Sequence, residues 1–162
     1  MNFHTRKWVK PEDLNPNGTL FGGSLLCWID EEEAIYTMCQ LGNKRIVTKF
    51  MSEINFVSSA RQGDVIELGM TATHFGRTSI TLRCEVRNKI TRKSIVTVER
   101  MVFINLDENG APAPHGKTEI TSAQDASPQI VSDAVAAARN AAISRPVADT
   151  VGPVFELDAV AS

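Results

Sequence analysis

Four consecutive acidic residues, Asp30 to Glu33, interrupt an otherwise mostly apolar segment of this 162-residue chain. Between Leu25 and Met38 the apolar residues recur at helical spacing, which predicts that the acids lie within one long helix. A carboxylate in apolar surroundings is costly unless it is paired, hydrogen-bonded or used in chemistry. If the protein is an enzyme, we therefore expect it to work through a carboxylate, assisted by polar side chains and backbone amides.

Spacing alone does not identify which carboxylate is enclosed. Residues three and four positions away are neighbours on a helix, and those of Glu31, which include Trp28 and Ile35, slightly favour it over Asp30 as the more enclosed group. The alternative is that all four acids form a solvated face. Four residues span about one helical turn, so they cannot all face water if the helix is covered on most sides.

The predicted helix is framed by turn and cap residues. Before it, the cluster from Asn15 to Gly18 favours a tight bend. Gly22-Gly23 then allows the backbone to approach a neighbour closely. The helical pattern begins at Ser24, and Gly42 stands where a helix C-terminal cap is expected.

Alternating hydrophobicity predicts strands around this helix. Their predicted ranges are residues 2–9, 44–57, 65–75, 79–90 and 95–106. The inward-facing residues of the fourth strand are predicted to be Ile80, Leu82, Cys84, Val86 and Ile90. The fifth strand is predicted to carry Val96, Val98, Val102 and Ile104 on one face, opposite Met101 and Phe103.

One long helix and a run of hairpin-connected strands predict an α+β fold, in which an antiparallel sheet wraps around the central helix. The edge strands are long, and exposed edge strands invite pairing with another chain. We therefore expect pairing with a second copy of this chain.

The composition suits one globular domain with an appendage. The chain is 43% hydrophobic and 22% charged, and its formal net charge of -2 gives no reason to expect a nucleic-acid partner. Residues 1–7 contain no apolar signal region, and no run is long enough to span a membrane, so we expect no membrane partner. Residues 1–118 form the predicted domain. Residues 119–162 form an Ala-rich tail with one weak helix after Ser127-Pro128.

Several classes of site are not indicated by the sequence. Cys27, Cys39 and Cys84 stand in apolar patterns and are predicted to be reduced core residues of a cytoplasmic protein. The three histidines are scattered without metal-ligand spacing, so no metal site is predicted. There is no nucleophile elbow, phosphate-binding loop or dinucleotide fingerprint.

Five motifs lie in register along residues 4–116. They are Asn17-Gly18-x-x-Phe21-Gly22-Gly23, Leu25-Leu26-x-Trp28-Ile29-Asp30-Glu31, Ile54-Asn55-Phe56, Gly63-Asp64-Val65 and Gly76-Arg77-Thr78-Ser79. After them, a last predicted strand ends at Asp107-x-x-Gly110. Together they resemble the acyl-CoA thioesterases of the hotdog fold, and most closely the short bacterial YciA-like enzymes and the cytosolic acyl-CoA hydrolases. The first two motifs carry most of the resemblance.

The resemblance implies a hotdog fold and dimers that build their active sites at the interface, often as a trimer of dimers, which is a hexamer. It also implies hydrolysis of acyl-CoA thioesters, in which coenzyme A is part of the substrate and no separate cofactor is expected. The family's catalytic carboxylate falls on Asp30. Its loop asparagine falls on Asn17, which is expected to meet Asp30 of the partner subunit.

On this resemblance, the thioester carbonyl is expected near the helix N-terminus, where the amide of Gly23 and the helix dipole favour an oxyanion. Asp30 would act either as a general base on water or as a nucleophile that forms an anhydride. A hypothesis of a different class is an acyl-CoA-binding sensor or assembly module that does not hydrolyse its ligand.

The remaining predicted site residues belong to the coenzyme and the acyl group. Arg77, with Gly76, Thr78 and Ser79, is expected to meet the coenzyme A phosphates, and Arg61 is a second candidate. The predicted acyl pocket consists of Phe21, Phe56 and Met51. The length of the acyl chain depends on the depth of this pocket and is not predicted.

Overall fold

The computed structural model describes residues 1–120. Its elements are β1 (Asn2–Trp8), a short 3₁₀ helix (Pro11–Asp13), α1 (Gly22–Leu41), β2 (Ile46–Met51), β3 (Asn55–Phe56), β4 (Val65–Phe75), β5 (Ser79–Asn88) and β6 (Ser94–Asn105). The helix predicted after Ser127 lies outside the described residues, so the division of the chain at residue 118 stays a prediction. No helix among residues 1–120 combines the length and apolar character needed to cross a membrane.

The strands form one sheet in the order β1-β4-β5-β6-β2, with β3 pairing β6. Every pairing is antiparallel. α1 packs against β2, β4, β5 and β6, and side chains such as Leu68, Ile80 and Phe103 lie fully buried in the core. The predicted architecture of an antiparallel sheet with one long helix is confirmed.

α1 ends where the cap residue predicts. Gly42 adopts the left-handed conformation with φ 67°, and its N–H donates to the carbonyl of Met38 at 2.9 Å. Buried side chains mark the face of α1 that meets the sheet. They are Leu25, Ile29, Glu33, Thr37, Gln40 and Leu41. Half of this buried row is polar, so α1 does not present a purely apolar face to the sheet.

The predicted strand over residues 44–57 is instead two strands, β2 and β3. Between them, the N–H of Ser52 donates to the carbonyl of Arg100 at 2.8 Å, and the hydroxyl of Ser52 accepts from the N–H of Arg100 at 3.1 Å. A side-chain oxygen thus replaces a backbone acceptor, and regular pairing with β6 stops here.

β6 contains a bulge that reverses its predicted faces. Leu82 pairs with Met101 and Cys84 pairs with Val98, so β6 carries one residue more than β5 in this interval. Beyond the bulge Met101 is 0% exposed, whereas Val102 is only partly buried. The prediction that Val98 and Val102 share a face is wrong, because one extra residue moves every following side chain to the opposite face.

Ile90 and two cysteines lie outside the core, contrary to prediction. β5 ends at Asn88, whose carboxamide oxygen accepts from the N–H of Ile90 at 2.9 Å; the chain turns there and leaves Ile90 77% exposed. Cys84 is buried, but Cys27 and Cys39 are exposed because they lie on α1 outside its buried row.

The sheet edge formed by β2 and β3 is apolar. Its exposed side chains include Val47, Phe50 and Phe56, which are 41–47% exposed. Exposed strand edges with apolar side chains are typical of surfaces that pair with another chain. This edge is therefore where we expect pairing with a second copy to occur.

Candidate active site

Two of the four consecutive acids, Glu31 and Glu32, are in contact with solvent to different extents. The side chain of Glu31 is 56% exposed and lies 3.6 Å from the ammonium of Lys7. Glu32 is less exposed; it lies 3.2 Å from Lys7 and accepts a hydrogen bond from the hydroxyl of Thr5 at 2.7 Å. The slight preference for Glu31 as the enclosed acid is therefore wrong.

Asp30 lies on the side of α1 that faces β2, and it is half-buried. The hydroxyl of Thr48 on β2 donates to Oδ1 of Asp30 at 2.7 Å. A hydrogen bond to a charged acceptor is strong and orients it. Within residues 1–120 this is the hydrogen bond that Asp30 makes, so Oδ2 is available for a proton or a water molecule.

Glu33 is fully enclosed, with 0% of its surface exposed. Among residues 1–120, neither its carboxyl oxygens nor the hydroxyl of Thr37 have a hydrogen-bond partner. Burial, and secondarily the charge of Asp30, raises the pKa of Glu33 from 4.5 to about 8. Glu33 is therefore mostly neutral at neutral pH, and the alternative in which all four acids form a solvated face is wrong.

The turn before α1 is held by Asn15. Its carboxamide oxygen accepts from the N–H of Asn17 at 2.9 Å and of Thr19 at 3.3 Å, and its carbonyl accepts from the N–H of Gly18 at 3.0 Å. Asn17 itself is exposed. The turn thus fixes the backbone of Asn17 and leaves the residue accessible to a second molecule.

The first residues of α1 are crowded by aromatic rings. A Cβ at Gly23 would lie 2.5 Å from Phe21, and a Cβ at Gly22 would lie 3.4 Å from Phe56. Glycine at these positions leaves room for both rings beside the helix N-terminus. The N–H groups of a first helical turn have no intrahelical partner, so this end of α1 can donate to an oxyanion.

Two of the three predicted acyl-pocket residues lie beside the first residues of α1. Phe21 and Phe56 are about half exposed, and a cavity of about 200 Å³ lies beside Phe56, with Gly22 and Leu25 among its walls. Met51, at the end of β2, packs against the core and is not among the residues that line this cavity. Of the three predicted acyl-pocket residues, Phe56 lines this cavity, whereas Phe21 lies next to it against Gly23 and Met51 lies elsewhere.

The predicted coenzyme-binding motif forms the β4–β5 turn. The N–H of Gly76 donates to the carbonyl of Ser79 at 2.8 Å, and a Cβ at position 76 would lie 2.5 Å from the Ser79 hydroxyl. Arg77 is exposed in this turn. An exposed arginine on a tight, glycine-dependent turn is well placed to meet a phosphate group.

Thr78 connects this turn with the catalytic carboxylate predicted on α1. Thr78 and Thr48 both line an open cleft of about 500 Å³. Thr48 also donates to Asp30, so the predicted coenzyme turn and the predicted carboxylate are linked through Thr48, although Asp30 is not among the residues that line this cleft.

Arg61 lies at the other end of β4. It bridges to Thr19 before α1, and its N–H donates to the carboxylate of Asp64 at 2.8 Å. β4 has 11 residues, which at about 3.3 Å per residue separates Arg61 from Arg77 by roughly 35 Å. One protomer therefore cannot place both arginines on the same phosphate group.

Asp30 is also distant from the helix N-terminus of its own protomer. Along α1, Gly23 and Asp30 are about 10 Å apart at a rise of about 1.5 Å per residue. Asn17 precedes α1 and belongs to the same end. The helix rise therefore separates Asp30 from Gly23 within one protomer, and the meeting of Asp30 with Asn17 of a partner subunit stays a prediction.

Two residues of this region were not predicted from the sequence. The contact of Thr48 with Asp30 is a tertiary contact with no local signal. Glu33 had a signal, because it continues the four-residue spacing of Leu25 and Ile29 that marks the buried row. Within residues 1–120, no group of three or more histidines, cysteines or acids is placed to hold a metal ion.

Known proteins provide a comparison for this arrangement. Residues 17–95 match the family model of the thioesterase superfamily. The Bacillus subtilis protein named uncharacterized acyl-CoA thioester hydrolase YkhA is 32% identical over 113 residues, which cover 65% of this chain and 63%, less than two thirds, of that relative. An uncharacterized acyl-CoA thioester hydrolase of Buchnera aphidicola is 32% identical over 113 residues, covering 66% of this chain and 83% of that protein.

A solved structure shows the same fold. The crystal structure of Cj0915, a hexameric hotdog fold thioesterase of Campylobacter jejuni, superposes with a TM-score of 0.59 at 27% identity. The match covers 68% of this chain and 86% of that chain.

Proposed function

The chain belongs to the acyl-CoA thioester hydrolases of the thioesterase superfamily and has their hotdog fold, and we propose that it hydrolyses acyl-CoA thioesters with Asp30 as the catalytic carboxylate. The observation that carries this assignment is the position of Asp30, which is half-buried and oriented by Thr48, a residue that lines the same cleft as Thr78. A carboxylate held in this way can act on a thioester carbonyl that enters the cleft.

We propose that the complete site forms between two copies of the chain. The distance of about 10 Å between Gly23 and Asp30 along α1 is too large for both to contact one carbonyl group. A two-fold related copy that pairs along the apolar edge of Val47 and Phe50 has its helix running in the opposite direction. That arrangement brings Gly23 and Asn17 of one copy toward Asp30 of the partner subunit.

We extend this proposal to a trimer of dimers, because the Campylobacter jejuni neighbour is a hexamer. Sedimentation velocity should give a mass of six chains. Substituting the exposed edge residue Phe50→Asp should yield smaller species that have lost activity, since a charge at a buried apolar contact is costly. A monomer of the unaltered chain with full thioesterase activity would contradict the shared site.

In the proposed reaction the thioester oxygen accepts a hydrogen bond from the N–H of Gly23, and Asn17 orients the substrate. Asp30 of the partner subunit removes a proton from water, whose oxygen bonds to the carbonyl carbon. The carbon–sulfur bond then breaks, and Asp30 returns the proton to the coenzyme A thiolate.

Because Thr48 occupies Oδ1 of Asp30, we assign the base to Oδ2 and prefer general base catalysis to anhydride formation. A single turnover in heavy-oxygen water should label the acid product directly; label appearing first in Asp30 would favour the nucleophile.

The test of the function is coenzyme A release from acyl-CoA by Asp30→Asn. We expect a loss of about a hundredfold or more, the size typical of a group that transfers a proton in the transition state. Glu31→Gln, on the exposed side of the same helix turn, is the matched control and should retain the rate. A rate of Asp30→Asn close to that of the unaltered chain would reject the assignment. Saturable acyl-CoA binding without thiol release would support the sensor alternative instead.

For the coenzyme, we propose that Arg77, Thr78 and Ser79 meet the phosphates of the acyl-CoA whose thioester lies near Asp30 of the same protomer. Arg77→Glu should raise the KM for acyl-CoA far more than the KM for a truncated thioester without phosphates. Equal effects on the two substrates would remove Arg77 from the coenzyme site. Arg61, the second candidate, lies beside Thr19 near the helix N-terminus, so in the two-copy site it stays a candidate for the phosphates of an acyl-CoA bound to the partner subunit.

For the acyl group, we propose the pocket of Phe21 and Phe56 beside the helix N-terminus. Phe56→Ala should shift the preference toward longer acyl chains in a panel of acyl-CoAs, because it enlarges the cavity next to this ring. An unchanged preference would place the acyl chain elsewhere. A cytoplasmic location, the absence of nucleic-acid and membrane partners, and the absence of a cofactor other than the substrate's coenzyme A stay predictions.

A further inference from the structure

Glu33 is a buried ionisable group that the proposed reaction does not use. It lies in the centre of the α1 face that meets the sheet, and its exposure is 0%. Within the part of the chain that the structure describes, both of its carboxyl oxygens and the neighbouring hydroxyl of Thr37 have no hydrogen-bond partner. A buried polar group without a hydrogen-bond partner destabilises the fold. Packing alone would be served better by an apolar side chain of similar size.

The groups that act on Glu33 come from two elements. Asp30, one turn earlier on α1, carries a negative charge that opposes ionisation of Glu33. From β5 the thiol of Cys84 faces it, and burial, followed by the neighbouring Glu33, raises the pKa of Cys84 so far that the thiol stays neutral. Among residues 1–120 no cation compensates a charge on Glu33. At neutral pH Glu33 is therefore mostly neutral and adds no charge of its own beside Asp30.

We propose that Glu33 is a positioning residue for Asp30. It is a neutral carboxylic acid behind the catalytic carboxylate. When Glu33 loses its proton, it adds a second negative charge next to the site, and this charge stops the reaction. This inference rests on the proposed function, in which Asp30 is the catalytic group. It assigns to Glu33 no contact with the substrate.

The second charge acts on the reaction in two ways. The substrate brings anionic phosphates, and the thioester oxygen gains negative charge in the transition state, so a further anion beside Asp30 raises the barrier. An ionised Glu33 also requires solvation that the interface between α1 and the sheet does not provide. Its ionisation therefore favours displacement of α1, which carries both Asp30 and the helix N-terminus.

The first experiment compares pH profiles of kcat/KM for acyl-CoA, corrected for spontaneous hydrolysis. The unaltered enzyme should lose activity as the pH rises through about 8. Glu33→Gln keeps the shape and neutrality of the protonated acid, so its kcat/KM at neutral pH should match that of the unaltered enzyme within about twofold. One to two pH units above 8, the variant should be about tenfold more active than the unaltered enzyme, because it lacks one negative charge at short range. The control Glu31→Gln should retain the alkaline loss.

An alkaline loss that persists unchanged in Glu33→Gln would overturn the inference, and so would an unaltered enzyme whose rate stays constant through this range. Either result leaves the proposed function intact as long as Asp30→Asn is inactive. If the unaltered chain releases no coenzyme A at any pH, the proposed function fails and this inference fails with it.

The second experiment does not depend on activity or on the folding of a Glu33 variant. The infrared band of protonated glutamic acid in isotope-labelled protein should disappear from the folded enzyme near pH 8. In Asp30→Asn the same band should disappear at lower pH, because the neighbouring negative charge has been removed. A band that titrates identically in both proteins would show that the two carboxyl groups are not coupled and would overturn the proposal.

Discussion

Glu33 and Glu67 are glutamates with almost no exposed surface, 0% and 2% respectively, but their surroundings are opposite. Glu33 has no hydrogen-bond partner within residues 1–120, and its pKa is raised to about 8, by burial first and by Asp30 second. For Glu67, burial also acts to raise the pKa, but a hydrogen bond from Arg87 and the nearby positive charges outweigh it and lower the pKa. Burial alone does not decide the charge of a carboxyl group.

The difference follows from the face of the sheet on which each glutamate lies. Glu67 alternates with the buried Ile66 and Leu68 on β4 and so belongs to the outer face. There it lies 2.8 Å from Nε of Arg87, directly across on β5. Long cationic side chains on an outer face can cover a carboxylate with their apolar stems while their charged ends stay hydrated.

Within the described part of the chain, the inner face offers no such partner. Glu33 is enclosed by α1 and by strands whose core side chains are mostly apolar, and the thiol of Cys84 is the neighbour that acts on it from β5. A cation there would have to lose its own hydration to reach Glu33. The outer glutamate is thus stabilised as an ion, whereas the inner one is retained as a neutral acid, and the two should respond to pH in opposite directions.

The largest expected effect that tests this contrast is the stability of Glu33→Gln as a function of pH. Glu33 has a pKa of 4.5 in the unfolded chain and about 8 in the folded one. Its protonation therefore stabilises the fold fully below pH 4.5, and this stabilisation is lost as the pH rises to about 8. Glutamine does not titrate, so the free energy of unfolding of the variant relative to the unaltered chain should increase by on the order of 4 kcal/mol between about pH 4 and pH 9.

Urea unfolding at a series of pH values, at one fixed protein concentration because the chain is expected to oligomerise, measures this difference. Glu31→Gln is the matched control, since that side chain is 56% exposed; its stability curve should follow that of the unaltered chain. If the curve of Glu33→Gln ran parallel to the curve of the unaltered chain at all pH values, Glu33 would not be the neutral buried acid that the structure indicates.

The second prediction concerns Glu67→Gln, which should show the reverse trend. The lowered pKa of Glu67 means that its charge stabilises the fold above the pKa of the unfolded chain, and that this stabilisation is lost as the pH falls through the folded pKa. Removing the charge leaves three cations without their common partner. We expect a fall in Tm of roughly 5 °C at neutral pH, which disappears in acid. A Tm unchanged at neutral pH would contradict the ionised state of Glu67.

The elements of the fold were predictable where turn residues bound a regular pattern. β4 was predicted with its observed ends because Gly63 and Gly76 flank a clean alternation, and the end of α1 at Gly42 was predicted by its cap. The faces of β6 were not predictable, because both of its faces carry apolar residues. Hydrophobicity then holds no information about the bulge that separates Val98 from Met101.

The site was predictable only in part, and for a similar reason. The resemblance assigned Asp30, whereas spacing favoured Glu31, because helical spacing gives neighbours on one helix and says nothing about which side the sheet covers. The buried row indicated by Leu25 and Ile29 points to Glu33, but glutamate is among the residues least often fully buried. Enclosure of such a group is decided by the tertiary fold, as is the contact between Thr48 and Asp30.

The smallest expected effect separates the cations around Glu67 from one another. Arg92 is 59% exposed, whereas Arg87 is 26% exposed and its guanidinium also lies 3.6 Å from the centre of the Phe3 ring. Exposed ion pairs contribute about 0–1 kcal/mol. Arg92→Ala should therefore lower the Tm by no more than about 3 °C, and less at high salt, where the exposed charge is screened.

Arg87→Ala should lower the Tm further and keep most of its effect at high salt, because it loses both the hydrogen bond to Glu67 and the contact with Phe3. Equal, salt-sensitive losses in the two variants would mean that Glu67 is stabilised by general surface charge, and the contrast with Glu33 would then depend on exposure to solvent and not on a specific partner.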